Sequence, residues 1–339
     1  MNLEAPLKIF VGLLPVVVFL GTLLYMESYK LVRLHLIIRV FLAGALTAVA
    51  AYFVNGHVIE ALNMEFMDYA RVVSPLIEES LKGLVVVYLF RRNRIGFLVD
   101  GAILGFAVGA GFAMAENMYY LYHAADAHIA IWVVRGFGTA VMHGGVTAIF
   151  AIIAQIMTER QTRAKLFLFI PGLLAAAVLY SIFNQFWISP ILSTIATLVL
   201  IPLVLVLVFQ KSVTVMHQWL EVDFDANEAL LEKIQAGKFT HSKAGRFLLQ
   251  LRQRFDGLIV ADMLCYIRLH IELAIRAKSM LMAREFGMEV EKDKEIDAKF
   301  MELHALEQSI GKAGFLAMRP YLHMSRKDLW QLFLLKDQR

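Results

Sequence analysis

The sequence predicts an all-α protein, a polytopic membrane helix bundle of about seven spans followed by a C-terminal cytoplasmic helical domain. Three observations lead there. Of 339 residues, 59% are hydrophobic and only 18% charged, and mean hydropathy is +0.63, too apolar for a soluble globular chain. Apolar runs long enough to cross a bilayer recur up to about residue 210, separated by short loops. Beyond that point the composition changes, and 20 of the 33 Lys and Arg and 18 of the 29 acidic residues lie there. The domains are therefore 1–210 in the membrane and 211–339 outside it.

The first run, Ile9 to Tyr25, is preceded by Lys8 alone and lacks a small-x-small cleavage site, so it reads as a retained span. Lys30 to Arg39 forms a basic hinge, and the second span covers about Leu36 to Val54. Asn55 to Arg71 carries Glu60, Glu65 and Asp68 and reads as a short amphipathic piece outside the bilayer core. Span three, Val72 to Phe90, ends at the basic cluster Arg91-Arg92-Asn93-Arg94. Span four, about Phe97 to Tyr122, carries Gly101, Gly105 and Gly109 at four-residue steps, with Gly111 besides, a groove that a neighbouring helix can approach closely. Spans five, six and seven follow over about Ile129 to Met157, Leu166 to Trp187 and Pro190 to Phe209, with Trp187 as an interface anchor. Lys and Arg concentrate after the odd-numbered spans, at Arg91 to Arg94, at Arg160, Arg163 and Lys165, and at Lys211. That bias puts the N-terminus outside and the tail in the cytoplasm of an inner (plasma) membrane protein.

In the tail, Phe247, Leu248, Leu251, Phe255, Leu258 and Ile259, then Leu264, Ile267, Ile271 and Ile275, keep helical steps, which predicts a bundle of about four to six helices. Thr240 and Ser242 are candidate caps. His217, His241, His270, His304 and His323 show no ligand spacing and read as surface or packing residues; Met280 to Met288 reads as core packing. The tail's role is that of a solvated stabilising or docking bundle, with a cytoplasmic partner or self-association through 211–339 as the sharper alternative. Cys265 is the single cysteine, so no internal disulfide and no thiolate zinc site can form. A net charge of +4 with no arginine-rich arm argues against a nucleic-acid partner.

The chemistry concentrates in the polar residues of spans three to six: Glu78, Glu79, Lys82, Glu116, His143 and Asn184. Three ionisable groups on one turn of span three must face a protein interior or a wet cavity, since each costs roughly 2.5–3.5 kcal/mol at the centre of a lipid-facing helix. Glu78 and Glu79 both lie within reach of Lys82, so one carboxylate is neutralised and one is left over for acid–base work. Such a set can activate water, with a Glu as general base, His143 positioning, and the Asn184 amide donating to an oxyanion. It can alternatively hold a divalent metal, or serve as helix glue, or as the relay of a proton-coupled transporter, although no internal repeat supports the last.

Glu78-Glu79-x-x-Lys82, then Asp100-Gly101 leading through Gly105 and Gly109 to Gly111-Phe112-Ala113-x-x-Glu116-Asn117-x-x-Tyr120, then Met142-His143 followed by Thr147, resemble the PrsW family of intramembrane proteases over about residues 70 to 190. The resemblance implies a relative of the CAAX prenyl endopeptidases that hydrolyses a peptide bond of a single-span membrane protein, such as an anti-sigma factor, on its outer side. It gives Glu78 and Glu79 the role of water-activating or ligand carboxylates, and Glu116 and His143 supporting or metal-site roles. The family's last motif is a His followed four residues on by Asn or Asp; here Tyr180 stands at the histidine and Asn184 is kept. A neutral phenol donates hydrogen bonds but is a poor metal ligand, so a site independent of bound metal is expected, with zinc on Glu79, Glu116 and His143 as the alternative. A catalytically degenerate scaffold or sensor is the competing outcome.

Overall fold

The computed structural model describes residues 4–27, 29, 31–124, 126–159, 165–286, 288, 295–318 and 326–336, and among them every regular element is helical. Lys30, Arg160, Arg163 and His323 lie outside the described residues. The chain divides into two compact units, one running to Ser212 and the other from Val213 onward.

The first unit contains α1 (Glu4–Met26), α2 (Leu34–Leu62), a short α3 (Phe66–Asp68), α4 (Ser74–Arg91), α5 (Leu98–His123), a short α6 (Ile129–Val133), α7 (Ala140–Thr158), α8 (Ile170–Asn184) and the start of α9 (Pro190–Gln235). Two π-helical turns interrupt it: Tyr69–Val73 leads into α4, and Val134–Thr139 leads into α7. Six stretches are long and apolar enough to cross a membrane: α1, α2, α5, Ile129–Thr158, Leu166–Asn184 and α9. Helix α4, the expected third span, is not among them. Its 18 residues reach about 27 Å. Glu78, Glu79 and Lys82 lower its hydropathy, and all three are buried inside the bundle rather than turned to lipid.

Helix α5 is the centre of this unit, with every residue from Val99 to Ala113 buried. Its small residues are the reason: Gly101, Gly105 and Gly109 face α7, and Gly111 faces α2. A Cβ on Gly109 would sit against the His143 carbonyl, 2.6 Å from its carbon. Gly109→Ala is therefore expected to push α5 from α7 beside His143, lowering stability by about 1–3 kcal/mol, read as a fall in the thermal midpoint.

Two segments differ from expectation. Asn55 belongs to α2, which continues to Leu62, and its side chain reaches Glu78 instead of lying in a piece outside the core. The helix that carries span seven does not end at Phe209, because neither Gly nor Pro interrupts the chain between Pro202 and Gly237, and α9 runs on to Gln235.

The second unit comprises the rest of α9, α10 (Lys243–Leu251), α11 (Gly257–Glu285), α12 (Glu295–Met318) and α13 (Arg326–Lys336). Ser242 caps α10 by accepting from Gly245 N at 2.9 Å, and Asp256 caps α11 by accepting from Leu258 N at 2.9 Å. The core gathers on α11, where Met263, Tyr266, Leu273, Ala277 and Leu281 are buried, against α12 and α13. Helix α12 is broken at Gly311, whose φ of 69° favours glycine. Met280 packs in the core as expected, but Met288 is exposed.

Of the tail histidines, His217 pairs with Glu285 at 3.0 Å, and His270 is buried on α11. Burial pushes the His270 imidazole down from 6.5 to about 4. The folded unit thus holds a neutral ring that the unfolded chain would protonate near pH 6.5, so stability is full above that value and is lost as pH falls toward 4. The loss amounts to about 3 kcal/mol. His270→Phe is expected to flatten this acid slope, measured as hydrogen exchange across α11 between pH 7 and 5.

Candidate active site

Four elements supply the polar set, and one buried cation joins most of it. On α4, Lys82 Nζ pairs with Glu79 Oε1, and neither side chain touches solvent. The same ammonium lies 3.0 Å from His143 Nδ1 on α7 and 4.2 Å from the centre of the Phe112 ring on α5. Thr147 Oγ1 lies 3.2 Å from Glu79 Oε2 and 2.9 Å from the His143 carbonyl oxygen, one turn back on its own helix. An ammonium donating to Nδ1 leaves the imidazole proton on Nε2. That nitrogen is 3.3 Å from Glu116 Oε2, which Arg135 Nη2 also approaches at 3.2 Å. Two ion pairs are therefore joined through a neutral imidazole along one chain: Glu79 with Lys82, then His143, then Glu116 with Arg135.

Glu78 is arranged differently. Its described partners are neutral donors: Ser74 Oγ at 2.6 Å and Asn55 Nδ2 at 3.2 Å on Oε1, and the Tyr180 hydroxyl at 3.0 Å on Oε2. Tyr69 OH holds Asn55 in turn, at 2.8 Å from Oδ1. The ring of Tyr180 stands edge-on to His143, 4.8 Å between centres, so α8 reaches the imidazole as well as Glu78. Of the two paired glutamates, Glu79 is neutralised in a dry interior and Glu78 is the one left over.

Asn184 does not join them. Its Nδ2 donates to the Ala70 carbonyl at 2.9 Å, in the π turn before α4. Asp100 also lies elsewhere, accepting from Gly96 N at 2.9 Å and Phe97 N at 3.0 Å to cap the start of α5. A cavity of about 380 Å³ lined by Phe10, Leu14, Val18, Phe137, Val141 and Leu198 is apolar and holds none of the polar set.

Sequence reasoning missed Arg135, Asn55 and Ser74. Arg135 lies near the start of the run read as span five and drew no role there, yet it is held by the whole Glu116-Asn117-x-x-Tyr120 motif. Its Nε donates to Asn117 Oδ1 at 3.0 Å, and its guanidinium carbon lies 3.7 Å from the centre of the Tyr120 ring. A regular helix would set Arg135 and His143 roughly 80° apart over eight residues. The extra residue of the Val134–Thr139 π turn brings both onto Glu116. Asn55 had a signal, an amide at the end of an apolar run, which its acidic neighbours masked.

These residues as arranged do not fit a zinc ion. Among the described residues no three of His, Cys, Asp and Glu form a metal-holding group, Glu79, Glu116 and His143 included. The cause is Lys82, whose ammonium stands between Glu79 and His143 Nδ1, where a divalent ion bound by both would sit. At the other end the Arg135 guanidinium faces the Glu116 carboxylate. The contact there is loose, since His143 Nε2, Glu116 Oε2 and Arg135 Nη2 make no well-aligned hydrogen bond with one another.

A family model described as PrsW family intramembrane metalloprotease matches residues 33–209. The match takes in α2 through α8 and most of the apolar part of α9, and so every residue of the polar set. No curated protein and no solved structure matches the chain. With more than half of its length matched, the chain belongs to the PrsW family of intramembrane metalloproteases.

Proposed function

We propose that this chain hydrolyses a peptide bond of a single-span membrane protein within the membrane, with Glu78 as general base and no bound metal. One observation carries the reading: Glu78 accepts only neutral hydrogen bonds among its described contacts, whereas Glu79 is neutralised by Lys82. Neutral donors take three of its roughly four lone-pair sites and no cation takes the last, which stays available for a water proton. In this mechanism Glu78 takes one proton from water as the oxygen attacks the scissile carbonyl. The carbonyl oxygen becomes an oxyanion, toward which the Tyr180 hydroxyl can turn once Glu78 is protonated and releases its hydrogen bond, with Lys82 as the nearest charge. Collapse breaks the C–N bond, and Glu78 returns the proton to the leaving amine. Glu79, His143, Glu116 and Arg135 hold the buried ammonium and the imidazole in place.

The basic loops support an outside N-terminus and a cytoplasmic tail, and with them a site in the outer half of the membrane, a reading that favours an outward-facing cleavage such as that of an anti-sigma factor. The family description favours a second reading, a zinc site on Glu79, Glu116 and His143, which would require Lys82 to move aside.

Purified protein co-reconstituted with a panel of single-span substrates separates these readings. Cleavage that survives chelation, with new termini located by mass spectrometry and no stoichiometric metal by elemental analysis, is expected. Activity lost to chelator and restored by zinc alone would sink the metal-free mechanism. Intact substrates throughout the panel would favour a scaffold, and solute flux lost in Glu78→Gln a transporter.

A further inference from the structure

The residues that grip the start of α4 have a cause in its sequence. Pro75 has no N–H, so it can serve neither Arg71 O, its acceptor in an α register, nor Ala70 O, its acceptor in a π register. Ser74 N, which could have reached Ala70 O, bonds Tyr69 O in the π turn. A partly buried carbonyl left without a helix donor costs about 1–3 kcal/mol unless another group supplies one. Helix α8 does so: Asn184 Nδ2 donates to Ala70 O at 2.9 Å, and Ser181 Oγ to Arg71 O at 2.5 Å. Tyr180, on the same turn of α8, donates to Glu78 itself. Residues three and four apart share a helix face, so a single face of α8 holds the entry to α4 at three points.

We infer that Ser181 and Asn184 are positioning residues for Glu78, keeping the Tyr69–Val73 turn in its π register and thereby setting the rotation of the first turn of α4. This rests on the reading of Glu78 as the base. It also moves Asn184 from the oxyanion role to a backbone clamp, since its Nδ2 is directed at Ala70. The Ser74 hydroxyl on Glu78 Oε1 then transmits the rotation to the carboxylate.

The test uses the full chain in lipid and three readouts: hydrogen exchange of the amides of Ser74 and of Leu76 to Glu78, labelling of Glu78 by an apolar carbodiimide, and steady-state cleavage. Asn184→Leu and Ser181→Ala are each expected to speed exchange about tenfold, the factor for one lost hydrogen bond, and Ser181→Thr to stay within about twofold of wild type. Both losses raise Glu78 labelling, because the carboxylate comes away from Tyr180, and both lower kcat with KM unchanged. Pro75→Ala added to Asn184→Leu decides the matter. It restores an N–H for Arg71 O and so lets the turn wind in an α register with Ser74 N on the freed Ala70 O, which slows exchange again but leaves labelling high and kcat low. Recovery of kcat together with protection would mean a merely structural role and overturn the inference. So would exchange and labelling unchanged in Asn184→Leu. Exchange and labelling need no turnover, so a wild type that cuts nothing refutes the proposed protease while these arms still decide the positioning role.

Discussion

Glu78→Gln is expected to abolish cleavage, on the order of 10³-fold or more in kcat, while leaving the protein folded and inserted. The substitution keeps volume and keeps an oxygen that can accept from Ser74 and Asn55 where Oε1 did, while its amide can donate to the Tyr180 oxygen in place of the bond that Oε2 accepted, so the side chain stays oriented. What it removes is the capacity to take a proton from water and to give it to the leaving amine. Stability should change by no more than about 1 kcal/mol. Glu79→Gln behaves differently, because its carboxylate has a buried ammonium as partner, and loss of activity there comes with loss of stability. The pair of measurements, turnover and thermal midpoint, thus separates the two glutamates. Full turnover in Glu78→Gln would remove it as the base and leave Glu79 in that role.

The helices and the membrane class could be read from the sequence because both depend on composition and period, which survive without knowledge of neighbours. The polar set was readable for a related reason: charges inside apolar runs have few places to go, and Glu78, Glu79, Lys82, Glu116, His143 and Tyr180 do meet. Which glutamate pairs with Lys82 was not readable, since helical spacing puts both within reach, and Thr147 on α7 helps to hold Glu79 there. The two π turns were hidden as well. Each depends on one residue more than an α turn holds, and each is held by side chains distant in sequence, Asn184 and Ser181 for the first and Asn117 for the second. Arg135 joined the site only through the second of these turns. A charge count of loops could not have placed it there.

Lys82→Met should be the most damaging single change to the fold, because it leaves the Glu79 carboxylate uncompensated in a site closed to water, with Thr147 as its described hydrogen-bond donor. Breaking a buried pair from one side costs about 3–5 kcal/mol, which would show as a fall in thermal midpoint and in recovered folded protein. Removing both charges together is a different matter. In Glu79→Gln/Lys82→Met the carboxamide can still accept from Thr147, the methionine side chain fills the volume beside Phe112, and no buried charge is left unpaired. Stability in the double variant is therefore expected to recover to within about 1–2 kcal/mol of wild type, a large favourable coupling in a double-mutant cycle. Turnover is not expected to recover, since His143 Nδ1 has lost its donor and the oxyanion its nearest positive charge. A Lys82→Met protein as stable as wild type would show that the pair is not the charge lock described for α4. A double variant that folds and cuts would show that the ammonium serves folding alone, and the electrostatic part of the mechanism would pass to Tyr180 and Arg135.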